Sequence, residues 1–185
     1  YMGVRLTPIA QQNNNAIKGT QHIDRATYRL VVDGLVEQPL NLTYDDLLAL
    51  PAESSLTDLN CVEGWYFTAK WSGPTLVSIF EKAKPKPGVT TVIFHTTDAG
   101  GYSSLEYSYI MDKRTIIALK LNDVTIPADR GFPFQVVAES KFGYKWAKWV
   151  TRIELTNDTS FRGYWEQRGY NNRADVDGPA FEPRS

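Results

Sequence analysis

Tyr28, Leu30 and Val32 alternate with Arg29 and Val31, and Asp33-Gly34 follows. Alternation closing on a turn dipeptide predicts a strand that leads into a hairpin. Thr43 and Asp46 make a capping pair ahead of Leu47, Leu48 and Leu50, and Pro51 stops the short helix they predict. A strand-like stretch runs from Leu56 to Val62 and carries Cys61. Ser72-Gly73-Pro74 reads as a helix start, because Leu76, Ile79, Phe80 and Ala83 then fall at helical spacing and Pro85 and Pro87 end the run. Val89 to Thr97 is rich in β-branched residues and predicts a strand, and Gly100-Gly101 reads as a flexible break. Asn122-Asp123 separates residues 115–121 from 124–126 as a hairpin would, and Phe134 to Ala138 reads as another strand. Ala147, Trp149, Thr151, Ile153 and Leu155 alternate with Lys148, Val150, Arg152 and Glu154, which predicts a strand over 147–155 with one buried face.

Several strands with only two or three short helices indicate an α+β fold dominated by mixed sheet. The chain has 185 residues, which is one domain's worth of core. The expected organisation is a single domain over 1–185, with a polar arm at 1–26 and a polar, aromatic-bearing tail at 157–185 that wraps it. No repeat or linker interrupts the chain.

Hydrophobic residues make up 42% of the chain and charged residues 22%, which excludes a disordered polymer. A formal charge of −1 argues against a protein that coats nucleic acid with its whole surface. No apolar run approaches the ~20 residues of a membrane helix. The chain opens Tyr1-Met2, which is not a natural start; this agrees with a trimmed export or anchor segment and equally with a cloning choice, so the absence of a visible targeting signal carries little weight. One cysteine cannot form an internal disulfide.

The chemistry narrows quickly. There is no glycine-rich dinucleotide or phosphate loop, no paired-cysteine zinc pattern and no His-Glu-x-x-His. A thiol-hydrolase pair of Cys61 with His95 has no local support, since His95 sits inside a predicted strand. Cys61 itself reads either as a small buried hydrophobe or as a soft thiolate ligand. A lone thiolate cannot build a protein-only metal site, but it can complete one whose other ligands come from an organic cofactor. Lys141, Lys145, Lys148 and Arg152 share a twelve-residue stretch with no acid. That stretch is either a charged edge strand or an anion site. A nucleic-acid strip is a weaker reading, because the patch is short.

Cys61-Val62-Glu63-Gly64-Trp65 followed by Trp71-Ser72-Gly73-Pro74-Thr75-Leu76 resembles the ligand-cysteine segment of the sulfite-oxidase-fold molybdopterin oxidoreductases. The likeness is greatest to the bacterial and archaeal branch that includes the catalytic subunit of periplasmic methionine-sulfoxide reductase. It continues through Gly34 to Leu50, Gly131-Phe132-Pro133-Phe134-Gln135-Val136-Val137, Lys141 to Trp149, and Arg152-Ile153-Glu154-Leu155, and covers most of residues 15–156.

The resemblance implies a mononuclear molybdenum (or tungsten) bound to one molybdopterin, with Cys61 as the metal ligand. It implies cofactor contacts from Thr96, Arg130, Lys145, Trp146, Ala147 and Lys148, and, through a looser match, from Asn15 and Lys18. Trp65, Asp98 and Tyr102 are the expected pocket residues beside Cys61. Two departures stand out. Gln135 replaces an arginine that pairs with the phosphate in many relatives, and Val62-Glu63-Gly64 replaces the arginines that hold sulfite, so sulfite is a poor candidate substrate. The implied function is two-electron oxygen-atom transfer on a small sulfoxide- or sulfite-like molecule. A haem-containing electron partner, no nucleic acid, and an extracytoplasmic setting go with it. The alternative is a non-catalytic binding or assembly module that keeps the fold without the cofactor.

Overall fold

Capping decides where the first helix begins. In the computed structural model, which describes residues 1–183, the Thr43 hydroxyl accepts from the Asp46 N–H and the Asp46 carboxylate accepts from the Thr43 N–H. This reciprocal pair is the predicted capping box. The chain enters through β1 (Leu30–Gly34) and β2 (Leu40–Leu42), then α1 (Tyr44–Leu48). β3 (Ala52–Asn60), β4 (Tyr66–Pro74) and α2 (Leu76–Ala83) follow, then β5 (Thr91–Thr96), β6 (Gly100–Glu106) and α3 (Tyr107–Lys113). Five shorter or later strands complete the described chain: β7 (Ile117–Ala118), β8 (Lys120–Leu121), β9 (Val124–Thr125), β10 (Gln135–Val136) and β11 (Val150–Thr156).

Two main sheets result. The larger runs β2-β1-β11-β5-β6, with β1 and β11 parallel and the other pairs antiparallel. The second runs β3-β4-β8-β9, all antiparallel. The α+β class and the mixed sheet are as expected. Leu30 and Val32 of β1, Val92 and Phe94 of β5, and Ile153 and Leu155 of β11 bury one face of the large sheet. They join Leu76, Ile79 and Phe80 of α2 and Trp71 of β4 in one continuous core.

Four expectations change. Ser72-Gly73-Pro74 is the end of β4, and Thr75 caps the helix instead. Phe67, Ala69 and Trp71 are buried at period two along β4, so the strand signal was present but overshadowed by the proline. Gly100-Gly101 opens β6, with a register shift opposite Phe94/His95. Gly34 stays in the ladder opposite Leu155, so the β1–β2 connection turns later. The strand predicted over 147–155 begins only at Val150, because Trp149 has φ +54° and a register shift falls between Val150 and Arg152. That bulge explains why Val150, Ile153 and Leu155 are the buried set, rather than an unbroken alternation. α3 was not foreseen; Ile110 is its one fully buried residue, so it has little apolar periodicity to read.

Candidate active site

The tip of the β3–β4 hairpin makes one wall of a cavity of about 420 Å³. The turn is closed by two backbone bonds: the Cys61 N–H donates to Trp65 O at 2.9 Å, and the Gly64 N–H donates to Cys61 O at 3.1 Å. The closure places Cys61, half-buried, on the cavity wall. Beside it, one oxygen of Glu63 accepts from the Trp65 indole at 2.8 Å and from the Asn15 amide at 3.3 Å, with Cys61 Sγ 3.9 Å away. These donors, the Trp65 indole foremost, hold the Glu63 carboxyl below its usual range. Burial pushes the Cys61 thiol up, and the charge of Glu63 pushes in the same direction.

Lys148 and Arg130 face the same cavity. Lys148 donates to Asn14 Oδ1 and to Asn15 O, both at 2.6 Å, and lies 4.5 Å from the centre of the Trp149 ring. Arg130 donates to the carbonyls of Asn13, Gln12 and Ile9 at 2.8, 2.5 and 3.2 Å. The two cations therefore tie the N-terminal arm across the cavity. Gly131 (φ +109°) makes room for this: a Cβ there would sit 2.9 Å from Cβ and Cγ of Lys148. Burial, reinforced by Arg130, pushes the Lys148 ammonium down to about 8.

Asp98 is buried on the cavity wall and accepts from the Thr96 hydroxyl at 2.7 Å. Tyr102 lines the cavity near it, and burial pushes its phenol up, with Glu166 and Asp98 adding to the effect. The tail then closes the site. The Tyr164 N–H donates to Tyr102 O at 2.8 Å, and Tyr164, Trp165 and Tyr170 reach the cavity together with Tyr144. Their rings meet edge to face, Tyr144 on Tyr170 at 5.2 Å and Trp165 on Tyr170 at 5.4 Å.

The structure thus gathers Asn15, Cys61, Trp65, Asp98, Arg130, Trp146, Lys148 and Tyr102 around one cavity. It does not bring four other residues of the expected set to that surface. Lys18 is exposed on the arm, and Thr96 meets the cavity only through Asp98. Ala147 is fully buried, with its carbonyl taken by the Val136 N–H. Lys145 turns away to Ser104 O, Glu166 and Asn172, and so cannot replace a missing phosphate cation. Gln135 does line the cavity, and its amide donates to Trp146 O at 3.3 Å. Sequence reasoning missed Asn13, Asn14, Tyr144 and the tail aromatics. The density of aromatics between Phe161 and Tyr170 was the available signal.

The donor set suits a cofactor that brings its own ligands. Among the described residues no cluster of three or more His, Cys, Asp or Glu could hold a metal alone. One thiol faces two cations across a cavity large enough for an organic group, and Arg130 Nε is buried without a hydrogen-bond partner, although Asp129 Oδ2 lies 3.4 Å away out of line. A soft sulfur ligand, a Lys148 ammonium that makes no ion pair among the described residues and the open Nε of Arg130 fit a metal carried by an anionic organic cofactor.

Residues 17–165 match the family model described as the oxidoreductase molybdopterin binding domain. The chain belongs to this family. It is accordingly a molybdenum-cofactor-dependent oxidoreductase domain of the sulfite-oxidase fold, and its cofactor is molybdopterin. Among its relatives is YedZ1 of Azospira oryzae, provisionally named a protein-methionine-sulfoxide reductase subunit, 34% identical over 82% of this chain and 57% of that one. The uncharacterized oxidoreductase YuiH of Bacillus subtilis is 31% identical over 82% of this chain and 76% of its own length. The protein-methionine-sulfoxide reductase catalytic subunit MsrP of Campylobacter jejuni is 24% identical, and the match covers 60% of it. The chain therefore spans little more than half of the first of these relatives and of MsrP. The crystal structure of the sulfane dehydrogenase SoxCD from Paracoccus pantotrophus superposes with a TM-score of 0.79 at 23% identity, over 83% of this chain and 44% of that one, which supports the fold.

Proposed function

We propose that this chain is the catalytic domain of an oxygen-atom-transfer enzyme that acts on a small sulfur-centred substrate, reduction of a sulfoxide being the foremost reaction. The names of YedZ1 and MsrP support that substrate class. The observation that carries the reading is that Cys61, the chain's one thiol, lines the cavity that Lys148 and Arg130 also line.

When bound, the metal–pterin group supplies the two-electron redox and oxygen-atom chemistry. Cys61 holds the metal through its thiolate. Lys148, Arg130 and the backbone near Trp146 hold the anionic end of the cofactor. Asn13 to Asn15, tied down by those same cations, close one wall. Trp65, Tyr164, Trp165 and Tyr170 keep bulk water from the reacting end. Asp98 and Tyr102 sit where a proton can be held near the substrate. A haem-bearing electron partner and an extracytoplasmic setting fit the likeness to the reductase catalytic subunits.

Expression in a host that makes the cofactor tests this reading. Near-stoichiometric molybdenum or tungsten and a visible metal–dithiolene absorption band are expected. Cys61→Ser should lose both with the fold intact, and a variant that keeps full activity would overturn the ligand assignment. The second reading, a cofactor-free binding module, draws on Gln135, whose amide is already taken by Trp146 O. It predicts protein absorption alone.

A further inference from the structure

Two acids and two cations face the cavity, and they are kept apart. Asn15 stands between Glu63 and Lys148: its carbonyl accepts from Lys148 at 2.6 Å, and its amide donates to Glu63 at 3.3 Å. Among the described residues no cation lies within salt-bridge distance of Glu63. The three groups that meet its carboxylate, the Trp65 indole, the Asn15 amide and the Cys61 thiol, all meet the single oxygen Oε2. None of them carries a positive charge. The carboxylate is therefore fixed in place by neutral donors and its charge is left uncompensated, 3.9 Å from Sγ. Asp98, the other acid, is buried on the β5–β6 turn, where it accepts from the Thr96 hydroxyl.

We propose that Glu63 is a charge filter beside the Cys61 sulfur, one that admits neutral and cationic substrates and turns away small oxyanions. The inference rests on the oxygen-atom-transfer reading and names its substrate class by charge. Glu63 is exposed, so the bulk-water figure applies: a unit charge about 4 Å away changes the local concentration of a monovalent ion roughly fivefold. Arg130 and Lys148 oppose the effect, but their donors point into the arm carbonyls rather than toward the hairpin tip.

The single cysteine makes the filter measurable without turnover. The full chain, expressed without cofactor and checked for cooperative thermal unfolding, is labelled at Cys61 with two methanethiosulfonates of similar size, one trimethylammonium and one sulfonate. Each rate is normalised to free cysteine to remove the reagents' own reactivity, and because both attack the same thiolate a change in thiol pKa cancels from their ratio. The cationic reagent should win by about tenfold or more at low salt, and the ratio should collapse near 1 M salt. Glu63→Gln, which keeps an oxygen for Trp65, should bring the ratio close to one. Glu63→Asp should keep most of the preference. Equal ratios in the parent and Glu63→Gln, or no labelling by either reagent, overturn the filter.

In the loaded enzyme, Glu63→Gln should raise kcat/KM for sulfite relative to a neutral sulfoxide by about tenfold. An unchanged ratio there also counts against the proposal. Failure of the cofactor reading is distinct: it appears as absent metal, and it leaves the labelling ratio untouched.

Discussion

Lys145 Nζ lies 2.5 Å from Glu166 Oε1, and both side chains are shut off from water. Ser103 donates to the same carboxylate oxygen at 2.8 Å, and Lys145 also reaches Ser104 O and Asn172. The pair fastens the C-terminal tail to the Gly143–Lys145 turn, and Ser103 and Ser104 tie both to β6. Breaking a buried pair strands a charge, which costs about 3–5 kcal/mol. Lys145→Met and Glu166→Gln should each lower Tm by about 10 °C. The double variant Lys145→Met/Glu166→Leu should recover much of that loss, because it removes both charges. Additive losses in thermal unfolding would show that the pair is not coupled.

Gly163 makes the second tail contact. A Cβ there would lie 2.1 Å from Tyr102 O and 2.7 Å from Ser103 Cα, which are backbone atoms that cannot swing aside. Gly163→Ala should therefore lift the tail, cost about 2 kcal/mol, and lower kcat/KM more than its stability loss explains. Gly178→Ala meets nothing closer than 3.4 Å and serves as the matched control, with Tm and activity near those of the parent. Equal behaviour of the two variants would mean that the tail does not shape the cavity.

How far this site could be read from sequence depended on how local each signal was. The Thr43–Asp46 cap, α2 and the Asn122-Asp123 hairpin were legible because each is specified within a few neighbouring residues. Cys61 and Lys148 were legible through family resemblance, not through spacing, whereas Asp98 and Tyr102 were legible from their place beside Gly100-Gly101 at a strand end. Lys145 was misread because its neighbours Lys141 and Lys148 make a stripe of cations in sequence, whereas a 3-10 turn over Gly143–Lys145 sends its side chain inward to Glu166. The tail aromatics were invisible as site residues for a related reason. Their place is set by Gly163 and Glu166 meeting β6, contacts between segments about 60 residues apart.

Arg130 gives the arm its position. Its guanidinium donates to the carbonyls of Ile9, Gln12 and Asn13, and the Asn14 amide donates to Asp129 O. The arm has few buried side chains of its own, with Gln12 the exception. Arg130→Met should leave global Tm within a few degrees yet speed limited proteolysis between residues 9 and 18 about tenfold, since local opening no longer breaks three charge-assisted bonds. Unchanged cleavage would show that the arm is held by something other than this clamp.

Lys148 should make anion binding depend on pH in a window that its environment sets. Burial and the nearby Arg130 bring its ammonium from an ordinary 10.5 down to about 8, against the opposing pull of Asp98 and Asp129. Between about 8 and 10.5 the unfolded chain holds this proton and the folded chain has lost it, so this residue's contribution to stability rises with pH across that window. Binding of an anion runs the other way. A bound phosphate favours the ammonium, so affinity for pyrophosphate, as a probe of the cofactor's anionic end, should be full below pH 7 and fall as pH passes through about 8. Calorimetric titration of the cofactor-free chain from pH 6 to 9.5 reads this directly. Lys148→Gln should weaken binding about tenfold at pH 7 and flatten the pH profile, whereas Lys148→Arg should hold affinity to pH 9.5, because a guanidinium keeps its charge there. A parent profile that stays level through pH 8 would mean that this cation does not grip the anion, and the weight would shift to Arg130 and the backbone at Trp146.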